Sequence, residues 1–326
     1  MAGTDDGPRV VREPDGGEST GTVVVAFVAN AVVALAKTGA AMITGSASML
    51  AEAVHSWADT GNEVFLLVAD RRSRRPADRD HPVGFGREAY VWAMFAAIGL
   101  FAVGAGVSVA HGIQELVHPE PAENLGIAYA VLAVAFVLEG VSFVKAVRQA
   151  RGEARLARQD VVAHVAETSD PTLRAVVAED AAALVGIVIA FLGVLLHQLT
   201  GSAVPDAVGS IVIGLLLAVV SILLVDRNRR FLVGEVARPE VRDAILDRLL
   251  AMPQVDRVTY LRLEFVGPRA LYLVASVDLV GDAREAAVGR RLDEIERAVV
   301  AHPRIAGAVL TVSAPEDVSL RPSPRR

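Results

Sequence analysis

Six times along its length the chain carries a largely apolar run of roughly 20 residues, the length a helix needs to cross a hydrocarbon core. These runs lie near 21–44, 47–69, 89–111, 125–144, 173–196 and 206–225. Apolar surface on this scale, in runs separated by charged loops, specifies a bundle of membrane-spanning helices, because only helices or closed barrels satisfy their own backbone groups in lipid. Composition agrees, with 53% of the 326 residues hydrophobic and 21% charged. Segments 90–110 and 207–225 contain no charge at all. The first, second, fourth and fifth runs each hold ionisable groups, and such groups inside a span mark ion pathways.

The loops set the orientation. Residues 70–88 carry Arg71, Arg72, Arg74, Arg75, Arg79 and Arg87, and 145–174 carry Lys145, Arg148, Arg151, Arg155, Arg158 and Arg174. The connections at 44–47, 112–124 and 197–206 hold neither Lys nor Arg. The positive-inside rule therefore places both basic loops and both termini in the cytoplasm. The plasma (inner) membrane is the expected location. Residues 1–20 are polar, lack the basic start and apolar core of a cleaved signal peptide, and read as a disordered tail. The transmembrane domain is expected over 21–226.

From about residue 235 the pattern changes to that of a small soluble domain, 236–315, followed by an unstructured tail, 316–326. Helix 239–251, strands 255–266 and 269–280, helix 283–301 and strand 304–313 give the order αββαβ. The expected fold is thus an all-α six-helix transmembrane bundle followed by a cytoplasmic α+β, ferredoxin-like domain, an open sheet covered by two helices. Its arginines and carboxylates balance, which suits self-association into a homodimer. The net charge of -6 over the whole chain speaks against a nucleic-acid partner.

The chain has no cysteine, so any metal must be held by His, Asp, Glu, Asn or backbone oxygen. The second run supplies Glu52, His55, Asp59 and Asn62, spaced three, four and three apart, which puts four metal-capable side chains on one helical stripe. His55 and Asp59, one turn apart, offer half of a tetrahedral site; Glu52 and Asn62 are secondary candidates. In the fifth run Glu179 and Asp180 precede an apolar stretch. Asp170-Pro171 marks a helix start two turns before them, so the pair stands inside the helix rather than capping it. Adjacent residues point about 100° apart, and Asp180 is taken as the one facing the site. Lys37 in the first run and Glu139 in the fourth are expected to pair or snorkel rather than to carry protons. Asn30, and small residues in Gly99–Gly106 and Gly209–Gly214, are read as helix-packing positions.

The run Thr44-Gly45-Ser46-Ala47-Ser48-Met49-Leu50-Ala51-Glu52-Ala53-Val54-His55-Ser56-Trp57-Ala58-Asp59-Thr60, then His81-Pro82-Val83-Gly84-Phe85-Gly86-Arg87, His111-Gly112-Ile113 and His118-Pro119-Glu120-Pro121, resembles the cation diffusion facilitators, most closely the zinc transporter 9 branch. The resemblance covers about 22–313 and includes Glu179-Asp180 and the Gly201–Gly214 segment. It implies a central site using His55, Asp59 and Asp180, proton antiport, alternating access and a homodimer joined through the soluble domain. Where many members carry His four residues before the last ligand, this chain has Val176, so Glu179 or water completes the shell. A second loop site of the family is matched by Asp78 and His81, but Phe85 stands where a ligand is expected. The soluble domain holds a single histidine, His302, which argues against regulatory metal there.

One imidazole with two or three carboxylates suits zinc, with iron, cobalt, nickel and manganese accommodated, whereas magnesium and calcium prefer oxygen alone. Such ligands lose protons to bind metal, so the expected partners are a divalent ion, protons and the bilayer. No organic cofactor is expected, and no nucleophile paired with a base suggests an enzyme. The rival reading is a membrane sensor or partner subunit that binds metal without moving it, or a manganese or iron transporter of the same fold.

Overall fold

The structure, a computed structural model, describes residues 20–119, 123–157 and 159–323. The expected N-terminal tail up to residue 19, Glu120 and Pro121, Arg158 and the last three residues of the C-terminal tail lie outside the described residues. The chain divides into two compact units, one gathering residues up to 72 with 88–229 and the other 73–87 with 230 onward.

In the first unit, α1 (Thr20–Thr44) turns through Gly45 and Ser46 into α2 (Ala47–Ser73). A continuous span follows, made of α3 (Glu88–Gly99), a π-helical turn (Leu100–Ala105) and α4 (Gly106–Val117). Next come α5 (Leu125–Leu156), the short α6 (Val161–Glu167), α7 (Pro171–Thr200) and α8 (Val204–Val233). Helix α7 starts where its sequence signals it: Asp170 accepts from the amides of Thr172 and Leu173 at 3.0 and 3.2 Å, and Pro171 fills the first turn. Helix α5 runs 32 residues, about 48 Å at helical rise, and so extends beyond the apolar stretch into a basic extension carrying Lys145, Arg148, Arg151 and Arg155.

Among the described residues five helices are long and apolar enough to cross a membrane: the part of α1 from Phe27, the α3–α4 span, α5, α7 and α8. Helix α2, at 27 residues, has the length but not the hydropathy, because Glu52, His55, Asp59, Asn62 and Glu63 fall within it. Met49, Leu100, Leu132, Ile213 and Leu217 fill the interior among many alanines, while Val137, Ile222 and Leu223 lie about 60% exposed on the outside. With apolar solvent outside, close packing rather than burial from water joins such helices. Backbones accordingly approach at Gly112, where a Cβ would fall 2.8 Å from the Ala207 carbonyl, and at Gly214, 3.0 Å from that of Ala105. Gly99 and Gly106, read above as packing positions, have nothing within 4 Å of such an atom; Gly104 between them does, against Leu217 and Ala58.

In the second unit, α9 (Pro239–Leu250), β1 (Val255–Gly267), β2 (Ala270–Leu279), α10 (Glu285–Val300) and β3 (Ile305–Val312) keep the αββαβ order. The sheet order is β1-β2-β3, with β1 and β2 antiparallel and β3 parallel to β2 after the α10 crossover. It has three strands among the described residues; ahead of α9, where a βαββαβ ferredoxin-like arrangement has its leading strand, Val236 forms only an isolated antiparallel bridge with Glu264. Leu246, Leu249, Val258, Leu273 and Ile295 are buried in its core, each worth about 1.5–3 kcal/mol. Residues 316–323, expected to be unstructured, lack regular structure but are tied down: Arg257 donates to the carbonyl of Asp317 at 2.6 Å, and the Leu320 amide to that of Val258 at 2.7 Å. The loop 73–87, expected within the transmembrane domain, groups with this unit. A Cβ at Gly86 would fall 2.5 Å from the Val266 carbonyl, and Arg87 pairs with Glu264.

Candidate metal centre

Helix α2 presents its polar stripe to the bundle interior, with Glu52, His55 and Asn62 each at most 2% exposed. The imidazole of His55 lies 3.2 Å from Asp59 Oδ2, yet neither ring nitrogen makes an oriented hydrogen bond among the described residues, nor does Asp59 Oδ1. Buried polar atoms are ordinarily paired; these stand ready for a ligand. Asp59, Val176, Glu179 and Asp180 line one cavity of about 70 Å³ between α2, α5 and α7, together with Ser56, Glu63, Glu139, Ser142 and, from α1, Asn30. His55 does not line it.

On α7 both carboxylates reach this region, each through its own partner. Asn62 donates to both oxygens of Glu179, and Ser142 Oγ donates to Asp180 Oδ2 at 2.7 Å. The expectation that only one of the adjacent pair faces the site is therefore too narrow. Val176 shares the wall, in keeping with its position one turn before Asp180. Among the described residues no three His, Asp or Glu side chains are gathered as a finished ligand set. The donors are neighbours held by hydrogen bonds, and the Asn62 and Ser142 bonds leave acceptor capacity on both Glu179 and Asp180.

The secondary candidates Glu52 and Asn62 are already hydrogen-bonded, Glu52 to Lys37 and Asn62 to Glu179. Lys37, wholly buried, lies 3.0 Å from Glu52 and 3.9 Å from Glu139, so it pairs rather than snorkels. Glu52 Oε1 fills the space left by Gly186, where a Cβ would come within 2.3 Å. Asn62 is committed through its amide nitrogen, with Oδ1 unpartnered among the described residues. Glu63, not singled out above, continues the stripe four residues beyond Asp59 and accepts from Asn30; that spacing was the signal that could have found it.

The loop pair is local. Asp78 Oδ1 accepts from the His81 amide at 2.8 Å and lies 3.0 Å from His81 Nδ1, both side chains about half exposed. Desolvation pushes the Asp78 carboxyl up, but these hydrogen bonds outweigh it and hold the group below its ordinary value. The Phe85 ring stacks on His81 at 4.1 Å, with the Arg75 guanidinium at 4.1 Å from the same ring.

Residues 23–233 match the family described as the cation efflux transmembrane domain. The proton-coupled zinc antiporter SLC30A9, mitochondrial, of Xenopus laevis is 35% identical over 259 residues, which cover 79% of this chain and 46% of that protein. Its Homo sapiens counterpart is 34% identical with the same coverage. Metal tolerance protein C4 of Arabidopsis thaliana is 32% identical over 79% of this chain and 57% of its own length. The chain spans about half the length of the curated relatives it matches.

Proposed function

Because this chain belongs to the cation efflux family of membrane transporters, we propose that it carries zinc across its membrane in exchange for protons, through a site formed between α2 and α7. It is an integral membrane protein and not an enzyme. The observation that carries the proposal is the convergence of Asp59, Glu179 and Asp180 on one cavity, with His55 3.2 Å from Asp59. One imidazole with carboxylates favours zinc among divalent ions, with manganese and iron as neighbours in the same chemistry. The exchange follows from the ligands themselves: each must be deprotonated to bind, so protons and metal compete for the same atoms.

In this reading α2 is the sixth crossing, its polar stripe turned from lipid toward the ion path. Both termini are cytoplasmic, and the C-terminal domain joins two copies. The balanced charge of that domain and its lone His302 support association without metal. The plasma (inner) membrane is the proposed location; the vertebrate relatives carry "mitochondrial" in their names, and membrane fractionation decides.

A second reading, binding without translocation, draws support from Val176 in the wall and from the absence of a finished ligand set among the described residues. Zinc counterflow in proteoliposomes separates the two. Labelled zinc accumulating against a preloaded unlabelled pool supports transport; equilibrium binding without accumulation supports the sensor.

A further inference from the structure

The segment Thr44-Gly45-Ser46-Ala47-Ser48 holds no ligand of the proposed site. In the structure it is the receptor for a carboxylate from another helix. Asp206, in the first turn of α8 and 1% exposed, accepts from the Ala47 amide at 2.7 Å through Oδ2. Its Oδ1 accepts from Ser46 Oγ at 3.0 Å and from Ser48 Oγ. Ser48 Oγ also lies 3.4 Å from the carbonyl of Ala190 on α7. First-turn amides have no partner within their own helix and form its positive end, so a carboxylate is a strong acceptor for them. Such a cap ordinarily comes from the residue just before the helix; here it comes from a helix that begins more than 150 residues later.

The surroundings leave little freedom. A Cβ on Gly193 of α7 would fall 3.1 Å from Asp206 Oδ1 and 3.2 Å from Ser48 Oγ, and one on Gly209 of α8 would fall 3.5 Å from Ser48 Cβ. On the other side only Gly45, with φ of 66°, and Ser46 separate α1 from α2. His55 stands eight residues beyond Ala47, about 12 Å along the same helix.

We infer that Asp206 is a positioning residue for transport: it fastens the first turn of α2 to α7 and α8, so the helix bearing His55 and Asp59 tilts about that end and does not slide along its axis. The inference rests on the proposed reading that α2 carries the transported ion. It assigns Asp206 no contact with that ion. Loss of the fastening therefore slows the passage between the two accessible states and leaves zinc affinity nearly unchanged.

The absence of cysteine makes the test direct, since a Cys pair at Val64 and Leu215, both about half exposed, takes spin labels without any background to remove. In proteoliposomes Asp206→Leu lowers kcat for zinc uptake by about tenfold, the scale of a lost cap expressed as a rate. KM and zinc Kd stay within about threefold. Asp206→Asn, which keeps an acceptor for the Ala47 amide, loses about threefold or less. The α2–α8 distance distribution broadens in Asp206→Leu. If that variant does not survive purification, Ser48→Ala carries the test, with a smaller loss of kcat and the same broadening. Wild-type kcat per folded molecule together with an unbroadened distribution overturns the inference. His55→Ala is measured alongside: if it still transports zinc, the site reading fails, and the distances alone judge Asp206.

Discussion

His55 and Asp59 stand one turn apart on α2, with His55 Nε2 3.2 Å from Asp59 Oδ2, and both ring nitrogens and Asp59 Oδ1 are buried without a hydrogen-bond partner among the described residues. On the proposed reading, alanine at either position removes a bond to the ion that the other cannot replace. Both His55→Ala and Asp59→Ala should abolish zinc uptake while the protein still purifies folded, and near-normal flux in either variant would remove it from the site. His55→Asp trades nitrogen for oxygen and should move preference from zinc toward manganese in competitive uptake; an unchanged ratio would show that His55 does not touch the ion. Val176 tests the register of α7. A histidine there adds a nitrogen to the cavity wall and should tighten zinc binding by about tenfold, the equivalent of about 1.4 kcal/mol. Isothermal titration reads it, and Glu179→Gln should weaken binding more in wild type than beside the new imidazole. The stripe on α2 was legible because the helical period alone aligns residues 52, 55, 59 and 62. Asn30 and Ser142 were not, since what makes them part of the wall is the packing of α1 and α5 against α2 and α7, which no local pattern encodes.

At the scale of elements, every expected helix and strand is present, most to within a few residues, but α4 runs on to Val117, α5 to Leu156 and α8 to Val233, and α6 was not foreseen. Apolar length announces where a span lies in lipid, but not where its helix ends, because α5 continues as helix through its polar, basic extension. The π-helical turn at Leu100–Ala105 had no signal at all; it sits within an uncharged apolar run. Helix contacts were read from small residues in two segments, and within them Gly104, Gly209 and Gly214 do meet neighbouring helices, whereas Gly99 and Gly106 do not. Gly99 faces open space, while Gly112, not chosen, meets the α8 backbone. The distinction is measurable. Gly112→Ala should destabilise the folded protein by about 1–3 kcal/mol through forced separation of α4 and α8, whereas Gly99→Ala should not. Thermal unfolding in detergent compares the two, and equal effects would contradict the packing described for this pair.

In the whole molecule a helical bundle with a buried stripe of titratable side chains is followed by a C-terminal domain whose core is built from apolar side chains. The full-length protein in detergent should show the same oligomeric state in chelator and in zinc by analytical ultracentrifugation; a monomer in chelator that dimerises only with zinc would mean that the domain is a metal-dependent joint. The central claim is exchange of metal for protons at the α2–α7 site, and its most direct test records both fluxes at once. Proteoliposomes made acidic inside, carrying a pH-sensitive dye and a zinc indicator, are given external zinc. Antiport predicts that zinc enters as the interior becomes less acidic, that collapsing the proton gradient slows both changes together, and that Asp59→Ala shows neither. Zinc entry at an unchanged rate after the gradient is collapsed, with no accompanying change in internal pH, would contradict it.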